Sequence, residues 1–229
     1  MGIALGLLAA LALLALLYWL FVVGEATYLG RYAVRFIYQR GAPHYDRVRR
    51  GVTDTDERVL LPLFSSALEP FAAPRVLDVA TGTGRVPLLL ARQPWFTGHV
   101  VGLDLTPAML EQARLQVAKF GIADRVTLIE GDADTLPWPA EEFDLVVSLE
   151  ALEFFPSSRR ALAEMARVLR PDGTLVVSKY PDGWARLLPF KGQTRRSITR
   201  FLEAQGMQQI SIYDWQIGHY ELVVARKRS

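Results

Sequence analysis

The sequence predicts an α/β domain built on a doubly wound, mostly parallel seven-stranded sheet with an antiparallel terminal hairpin. Short apolar segments alternate with helical segments from residue 75 onward, as in a parallel sheet that is covered on both faces. A glycine-rich turn at 81–84 joins the first of these strands to a helix. The last two apolar segments are only four residues apart, which is too short for a parallel crossover and predicts a hairpin. Together these features are Rossmann-like.

The individual elements follow from apolar patterning and from the positions of Gly and Pro. The predicted strands are 75–80, 98–104, 126–130, 143–148, 174–179, 208–215 and 220–225. The predicted helices are 54–68, 85–92, 107–120, 158–169 and 194–204. Pro62 lies inside the first of these helices and predicts either a kink or a later start. Gly41-Ala42-Pro43 is expected to break the preceding helix and to begin the soluble domain.

An uncharged apolar segment with nine leucines occupies residues 3–23. A helix of this length spans about 31 Å, which matches a hydrocarbon core of roughly 30 Å. Tyr18, Trp19 and Tyr28 lie toward one end, where aromatic belts form. A cleaved signal peptide is the alternative, but no Lys or Arg precedes the segment, which is also longer than a usual signal core. We therefore expect 1–25 to be a single transmembrane anchor.

The charges that flank this segment predict its orientation. Six arginines follow within residues 31–50 and none precedes it, so the positive-inside rule places the domain on the cytoplasmic side of the membrane. Residues 26–44 form a juxtamembrane amphipathic segment, which fits either an interfacial helix or a helix packed on the domain. The domain itself is expected at 45–229.

Composition excludes several functional classes. Without cysteine the chain has no disulfide framework, thiolate zinc site or cysteine nucleophile, and we expect no metal. The net charge is +4 over 1–50, −7 over 51–185 and +5 over 186–229. This distribution lacks the concentrated basic stripe of a nucleic-acid-binding protein, so no nucleic-acid partner is expected. Basic ends suit an anionic membrane surface.

A glycine turn and an aspartate carry the functional signal. The segment 76–84, VLDVATGTG, runs from an apolar strand into a turn where glycines let the backbone approach a ligand. Twenty residues after Gly84, Asp104 ends the second predicted strand, in place to accept hydrogen bonds from two ribose hydroxyls. A nucleotide-like ligand is therefore expected. Pro87 stands where a dinucleotide fingerprint needs its third glycine, which makes a nicotinamide cofactor the minor alternative.

Several motifs, in their order and spacing, extend this signal. They are LDVATGTG (77–84), VVGLDLTPAML (100–110), IEGDADTLPW (129–138), FDLVVSLEALEFFP (143–156) and VLRPDGTLVVS (168–178). Over about 45–225 the chain resembles the class I S-adenosylmethionine-dependent methyltransferases. The wording is most similar to the branch that contains the ubiquinone/menaquinone-biosynthesis C-methyltransferases.

The resemblance implies S-adenosylmethionine as the cofactor. The binding residues that it implies are Tyr45, Asp78, Ala80, Thr81, Gly82, Gly84, Asp104, Leu105, Met109, Asp132, Ala133, Ser148 and Leu149. Asp78 and the turn would surround the methionine part of the cofactor. Asp104 would bind the ribose, and Asp132 would accept a hydrogen bond from the adenine amino group. Ser148 and Leu149 would border the transferring methyl, and Tyr45 would belong to a lid. Asp78 and Asp132 could instead cap turns, and Leu105 and Met109 could be ordinary core.

One position departs from the family pattern. Many relatives carry a His before Pro156, whereas this chain reads Leu152-Glu153-Phe154-Phe155. No general base is therefore carried over, and Glu150 and Glu153 are the candidate catalytic residues. Either could instead be a solvated carboxylate at a helix start.

These observations predict a membrane-anchored methyltransferase. Its expected acceptor is a lipophilic small molecule, a quinone precursor or a lipid, which reaches the site from surrounding membrane lipids. Trp138, Phe154 and Phe155 are expected to line an apolar entrance. The alternatives are a membrane-tethered, cofactor-binding scaffold without catalysis and a nicotinamide-dependent oxidoreductase.

Overall fold

The computed structural model describes residues 2–20, 27–48, 53–216 and 218–229. Its strands are β1 Arg75–Val79, β2 His99–Asp104, β3 Val126–Glu130, β4 Phe143–Ser148, β5 Leu169–Lys179, β6 Met207–Trp215 and β7 Tyr220–Lys227. They form one seven-stranded sheet in the order β3-β2-β1-β4-β5-β7-β6. The first five strands are mutually parallel, and β7 is antiparallel to both of its neighbours. The predicted sheet and terminal hairpin are confirmed.

Helices cover both faces of this sheet. In the described residues they are α1 Gly2–Tyr18, α2 Arg31–Val48, α3 Thr53–Leu68, α4 Arg85–Ala91, α5 Pro107–Lys119, α6 Ser158–Val168, α7 Asp182–Leu187 and α8 Arg195–Ala204. Apolar residues of α3 and α4 pack on one face, and those of α6 and α8 pack on the other. The central strand β4 is buried along its whole length, which explains its continuous apolar sequence.

Two elements differ from the sequence prediction. β5 begins at Leu169, five residues earlier than expected, because Leu169 already pairs with Phe143 across an irregular register. The short helix α7 was not predicted. Its first residue, Asp182, accepts hydrogen bonds from the neighbouring Lys179 and from the backbone N–H of Arg195, thirteen residues further along the chain. Contacts of this kind leave no periodic trace in the sequence.

The amino-terminal apolar segment is described only in part. α1 covers 17 residues, a π-helical turn follows at 19–20, and residues 21–23 of the predicted span lie outside the described residues. Among the described residues, no helix combines the length and the apolarity needed to cross a membrane.

The predicted break at Gly41-Ala42-Pro43 is wrong, because α2 continues through Pro43. A proline inside a helix removes one backbone hydrogen bond, but here tertiary packing outweighs that loss. Ala42 is buried, and Gln39 accepts a hydrogen bond from the Ala108 N–H at the start of α5. The predicted boundary between 44 and 45 therefore falls within one helix, and α2 packs on the domain.

The entry to β2 offers a stability test. A Cβ added to Gly98 would lie 2.0 Å from the Pro74 carbonyl oxygen, which already accepts a hydrogen bond from the His99 N–H. Gly98→Ala should therefore lower the free energy of unfolding by about 1–3 kcal/mol in chemical denaturation. Gly183→Ala is the matched control, since nothing lies within 4 Å of its Cβ position. Equal stability of the two variants would contradict this packing.

Candidate active site

Two adjoining cavities lie at the carboxyl edge of the sheet, around β1, where the strand order reverses. The apolar cavity is lined by Val34, Tyr38, Leu103, Met109, Phe154 and Phe155, among others, together with Asp104. The lining of the polar cavity includes Asp56, Asp78, Thr81, Arg85 and Arg92. The residues common to both cavities are Tyr45, Ala80, Gly82 and Leu149. The glycine turn therefore lies where the two cavities meet.

Most of the predicted site residues come together here. Those that line the apolar cavity are Tyr45, Ala80, Gly82, Asp104, Leu105, Met109, Asp132, Ala133, Leu149 and Glu150. The polar cavity adds Asp78 and Thr81. Gly84, Ser148 and Glu153 line neither cavity.

The turn after β1 has an unusual backbone that its sequence explains. Ala80, Gly82 and Gly84 all have positive φ, at 61°, 55° and 90°. Gly84 is the N-cap residue of α4, and a Cβ at this position would lie 3.3 Å from the Cβ of Ala113 on α5. Glycine thus permits both the left-handed backbone and the close approach of the two helices. The Thr81 N–H donates to the Leu103 carbonyl, which ties the turn to β2.

Asp104 is a buried carboxylate that bridges two segments. One oxygen accepts the Gly82 N–H and the other the Thr106 N–H, each at 2.8 Å. Burial raises the pKa of Asp104, and the two backbone donors oppose that rise. Each carboxylate oxygen has a second lone pair, so the group can accept further hydrogen bonds at the cavity wall.

Asp132 lies in the cavity wall, but its carboxylate already has partners. Arg31 of α2 donates to one oxygen at 2.9 Å, and the Asp134 N–H donates to the other at 3.0 Å. A second ion pair joins Arg35 to Glu130 at 3.0 Å. Through these pairs α2 covers the end of β3, which places it over the cavity.

Of the two candidate bases, Glu150 lines a cavity and Glu153 does not. Arg85 and Gln216 each donate to Glu150 at 2.7 Å. Glu153 is buried and accepts the Tyr220 hydroxyl at 2.5 Å. Burial and this carboxylate raise the pKa of Tyr220, so the phenol remains a donor.

Two further predicted positions lie away from the cavities. Ser148 is fully buried, and its hydroxyl has no hydrogen-bond partner among the described residues. Trp138 was expected to line the apolar cavity, but it does not. Its ring packs edge-on against Phe143 at 5.2 Å, which places the loop after β3 against the first residue of β4.

An arginine-centred network was missed by sequence reasoning. Arg85 donates to both oxygens of Asp56 on α3 and to Glu150, and its guanidinium lies 5.0 Å from the Trp215 ring. The sequence places Arg85 directly after the glycine turn, but its partners come from distant elements. The aromatic wall from α2 was also missed, although Tyr38 lies in the segment that was expected either at the interface or on the domain.

Asp78 predicts a pH dependence of stability. It accepts the Thr81 hydroxyl at 2.6 Å, and burial raises its pKa to about 7. In the unfolded chain the pKa is about 4. The folded state therefore binds the proton more tightly, and the stability that this group contributes is complete below about pH 4 and is lost as the pH rises through about 7.

Asp78→Asn removes this titration and keeps an oxygen for Thr81. Its free energy of unfolding should fall less between pH 5 and pH 8 than that of the unsubstituted chain, as measured by urea denaturation. Asp124→Asn alters a carboxylate that is 76% exposed and should leave the pH profile unchanged. Identical profiles for all three chains would refute the role of Asp78.

Comparison with known proteins identifies the family. The family described as "Methyltransferase domain" matches residues 77–177. The chain is 37% identical over 165 residues to a demethylmenaquinone methyltransferase of Thermus thermophilus, covering 66% of this chain and 73% of the relative. It is 32% identical over 140 residues to the Lactobacillus johnsonii enzyme of that name, covering 61% of this chain and 57% of the relative. The chain therefore spans somewhat over half to three quarters of these relatives.

A solved structure shares the fold. It is a candidate S-adenosyl-L-methionine-dependent methyltransferase from Methanococcus maripaludis, with a TM-score of 0.65 and 19% identity, covering 83% of this chain and 94% of that one. The sequence motifs, the sheet order and these relatives agree. The chain belongs to the class I S-adenosylmethionine-dependent methyltransferase family, whose cofactor is S-adenosylmethionine.

Proposed function

We propose that this chain moves a methyl group from S-adenosylmethionine to a small lipophilic acceptor, a quinone precursor or a lipid, at a membrane. The observation that carries the proposal is the position of Asp104, a buried carboxylate in the wall of a largely apolar cavity. A buried carboxylate needs hydrogen-bond donors. Two ribose hydroxyls would add to the backbone N–H groups of Gly82 and Thr106.

The donor set of the two cavities fits this cofactor. In the apolar cavity, Leu105 and Met109 offer surface for an adenine ring, with Asp132 and the Ala133 N–H at its edge. In the polar cavity, Asp78 and the 80–84 turn would surround the charged methionine part. A molecule with a flat aromatic base at one end and a charged amino acid at the other matches one apolar and one polar cavity that meet at a turn.

The remaining task of the protein is alignment. S-adenosylmethionine supplies a methyl group that its sulfonium already activates. The chain has to hold the acceptor in line with that group and to exclude water. Tyr38, Phe154 and Phe155 supply an apolar wall for this purpose. Where the acceptor must lose a proton, Glu150 would accept it, because Glu153 lies outside both cavities.

The membrane part of the proposal rests on the amino-terminal segment. α1 is uncharged, and its leucines are exposed to between 42% and 71%. Exposed apolar surface of this extent is characteristic of contact with lipid or with another protein. Six arginines follow the segment within residues 31–50, which supports a cytoplasmic domain. Two relatives named for demethylmenaquinone support a quinone precursor as acceptor.

Replacing Asp104 tests the cofactor site. Asp104→Ala removes a charged acceptor for two hydroxyls, and each charge-assisted bond contributes about 1.5–3 kcal/mol. The affinity for S-adenosylmethionine, measured by calorimetry, should fall at least about tenfold. Asp104→Asn keeps one acceptor oxygen and should bind with intermediate affinity. Thermal unfolding verifies that both variants fold, and unchanged affinity in a folded Asp104→Ala chain would refute the assignment.

Charges placed on α1 test the membrane part. Leu8→Lys combined with Leu11→Lys alters exposed positions and leaves the core intact. In liposomes that contain membrane lipid extract and methyl-labelled cofactor, labelling of the lipid fraction should slow at least about tenfold, because lysine in a bilayer costs several kcal/mol. Leu8→Ala with Leu11→Ala is the matched control. Equal rates, or label in aqueous metabolites alone, would contradict a lipid-borne acceptor. Cofactor binding without transfer to any acceptor would indicate a scaffold.

A further inference from the structure

The segment after β5 displays three large apolar side chains to solvent. Trp184 and Leu187 on α7 are 49% and 53% exposed, and Phe190 in the following loop is 100% exposed. We call these three residues the apolar surface. Phe190 also has a φ of 62°, a left-handed conformation that is uncommon for an aromatic residue. Single exposed apolar residues are ordinary, but three within seven residues form a patch.

Backbone packing holds the apolar surface in place. The Gly192 N–H donates to the Leu188 carbonyl at 2.7 Å, and a Cβ on Gly192 would lie 1.9 Å from the Ala185 carbonyl oxygen. The loop therefore returns tightly against α7. Ala185 and Leu188 are buried beneath it, whereas Trp184, Leu187 and Phe190 face solvent.

Two hydrogen bonds connect this surface to other functional parts. Lys191 donates to the Phe155 carbonyl at 2.6 Å, and Phe155 lines the apolar cavity. Tyr28 donates to the Pro189 carbonyl at 3.0 Å, and Tyr28 lies in the segment that connects α1 with α2. The apolar surface therefore adjoins both the cavity wall and the chain that leads to α1.

A basic groove follows directly along the chain. Its lining among the described residues is Arg159, Thr194, Arg196, Ser197, Arg200 and Phe201, which includes no carboxylate. Gln193 donates to Ser158 at 2.9 Å and so joins the starts of α6 and α8. Because α6 leaves the carboxyl end of β4, the groove lies at the same sheet edge as the two cavities.

We propose that the apolar surface and the basic groove together dock the carboxyl edge of the domain onto an anionic lipid bilayer. The inference rests on the membrane placement in the proposed function and adds the surface of the domain that meets the lipid. Trp184, Leu187 and Phe190 would enter the interface, as in interfacial helices. The arginines would bind anionic headgroups. The apolar cavity would then open toward the acceptor's source.

The absence of native cysteine makes a direct test possible. Phe190→Cys in the full chain carries one environment-sensitive fluorophore, and Ala123→Cys, exposed in the turn before β3 at the opposite sheet edge, is the matched control. In vesicles of phosphatidylglycerol and phosphatidylcholine, a label at 190 should be quenched by lipid-borne nitroxide at a depth of roughly 5–10 Å and shielded from iodide. A label at 123 should show neither effect.

The charge requirement is tested in the same assay. Replacing Arg159, Arg196 and Arg200 by Gln should reduce nitroxide quenching at 190 at least about threefold in these vesicles, because the attraction to anionic headgroups is lost. Undiminished quenching would overturn the role of the groove.

Two outcomes would overturn docking as a whole. Iodide quenching at 190 that is unchanged by vesicles would show that the apolar surface does not contact the bilayer. Shielding that grows with protein concentration in the absence of vesicles would show that the apolar surface binds a second copy of the chain. Cofactor affinity of the same labelled chain distinguishes a failure of docking from a failure of the proposed function. Normal affinity with an unshielded 190 refutes docking alone, whereas an unsubstituted chain that does not bind S-adenosylmethionine refutes the proposed function.

Discussion

The architecture of the site depends on one buried carboxylate. Asp104 accepts a hydrogen bond from the glycine turn after β1 and another from the start of α5, so it sets the distance between the two segments that flank the apolar cavity. A buried charge without such donors would cost several kcal/mol. The turn that donates the Gly82 N–H to the end of β2 has a left-handed backbone at Ala80, Gly82 and Gly84. Fold and ligand site are therefore stabilised by the same contact.

The other segments around the two cavities are held by ion pairs that differ in burial. Arg85 connects α3, α4 and the segment after β4 through Asp56 and Glu150, within a mostly buried network. By contrast, α2 is joined to the end of β3 by Arg31–Asp132 and Arg35–Glu130, pairs with exposed arginines. Exposed pairs contribute about 0–1 kcal/mol each. The ion pairs that join α2 to the end of β3 are thus weaker than the Arg85 network, and packing on the domain adds to them through the buried Ala42 and the Tyr38–Phe154 ring contact.

The sequence predicts the elements that depend on neighbouring residues, but it does not predict contacts between elements that are far apart in the chain. Alternating apolar strands and the glycine turn predict the sheet, and the short 216–219 link predicts its hairpin, because strand length and loop length constrain pairing directly. Asp104 was found because its place at a strand end follows from the same pattern. The Asp56–Arg85 pair, the path of α2 through Pro43 and the turn of Glu153 toward Tyr220 depend on tertiary packing between elements far apart in the chain. No local pattern encodes them.

The decisive measurement is a structure of the full chain with S-adenosylmethionine bound. We expect both ribose hydroxyls to lie within about 3 Å of the Asp104 carboxylate, with the adenine against Met109 and the methionine part at the 80–84 turn. A cofactor seated elsewhere, or a ribose without contact to Asp104, would contradict it.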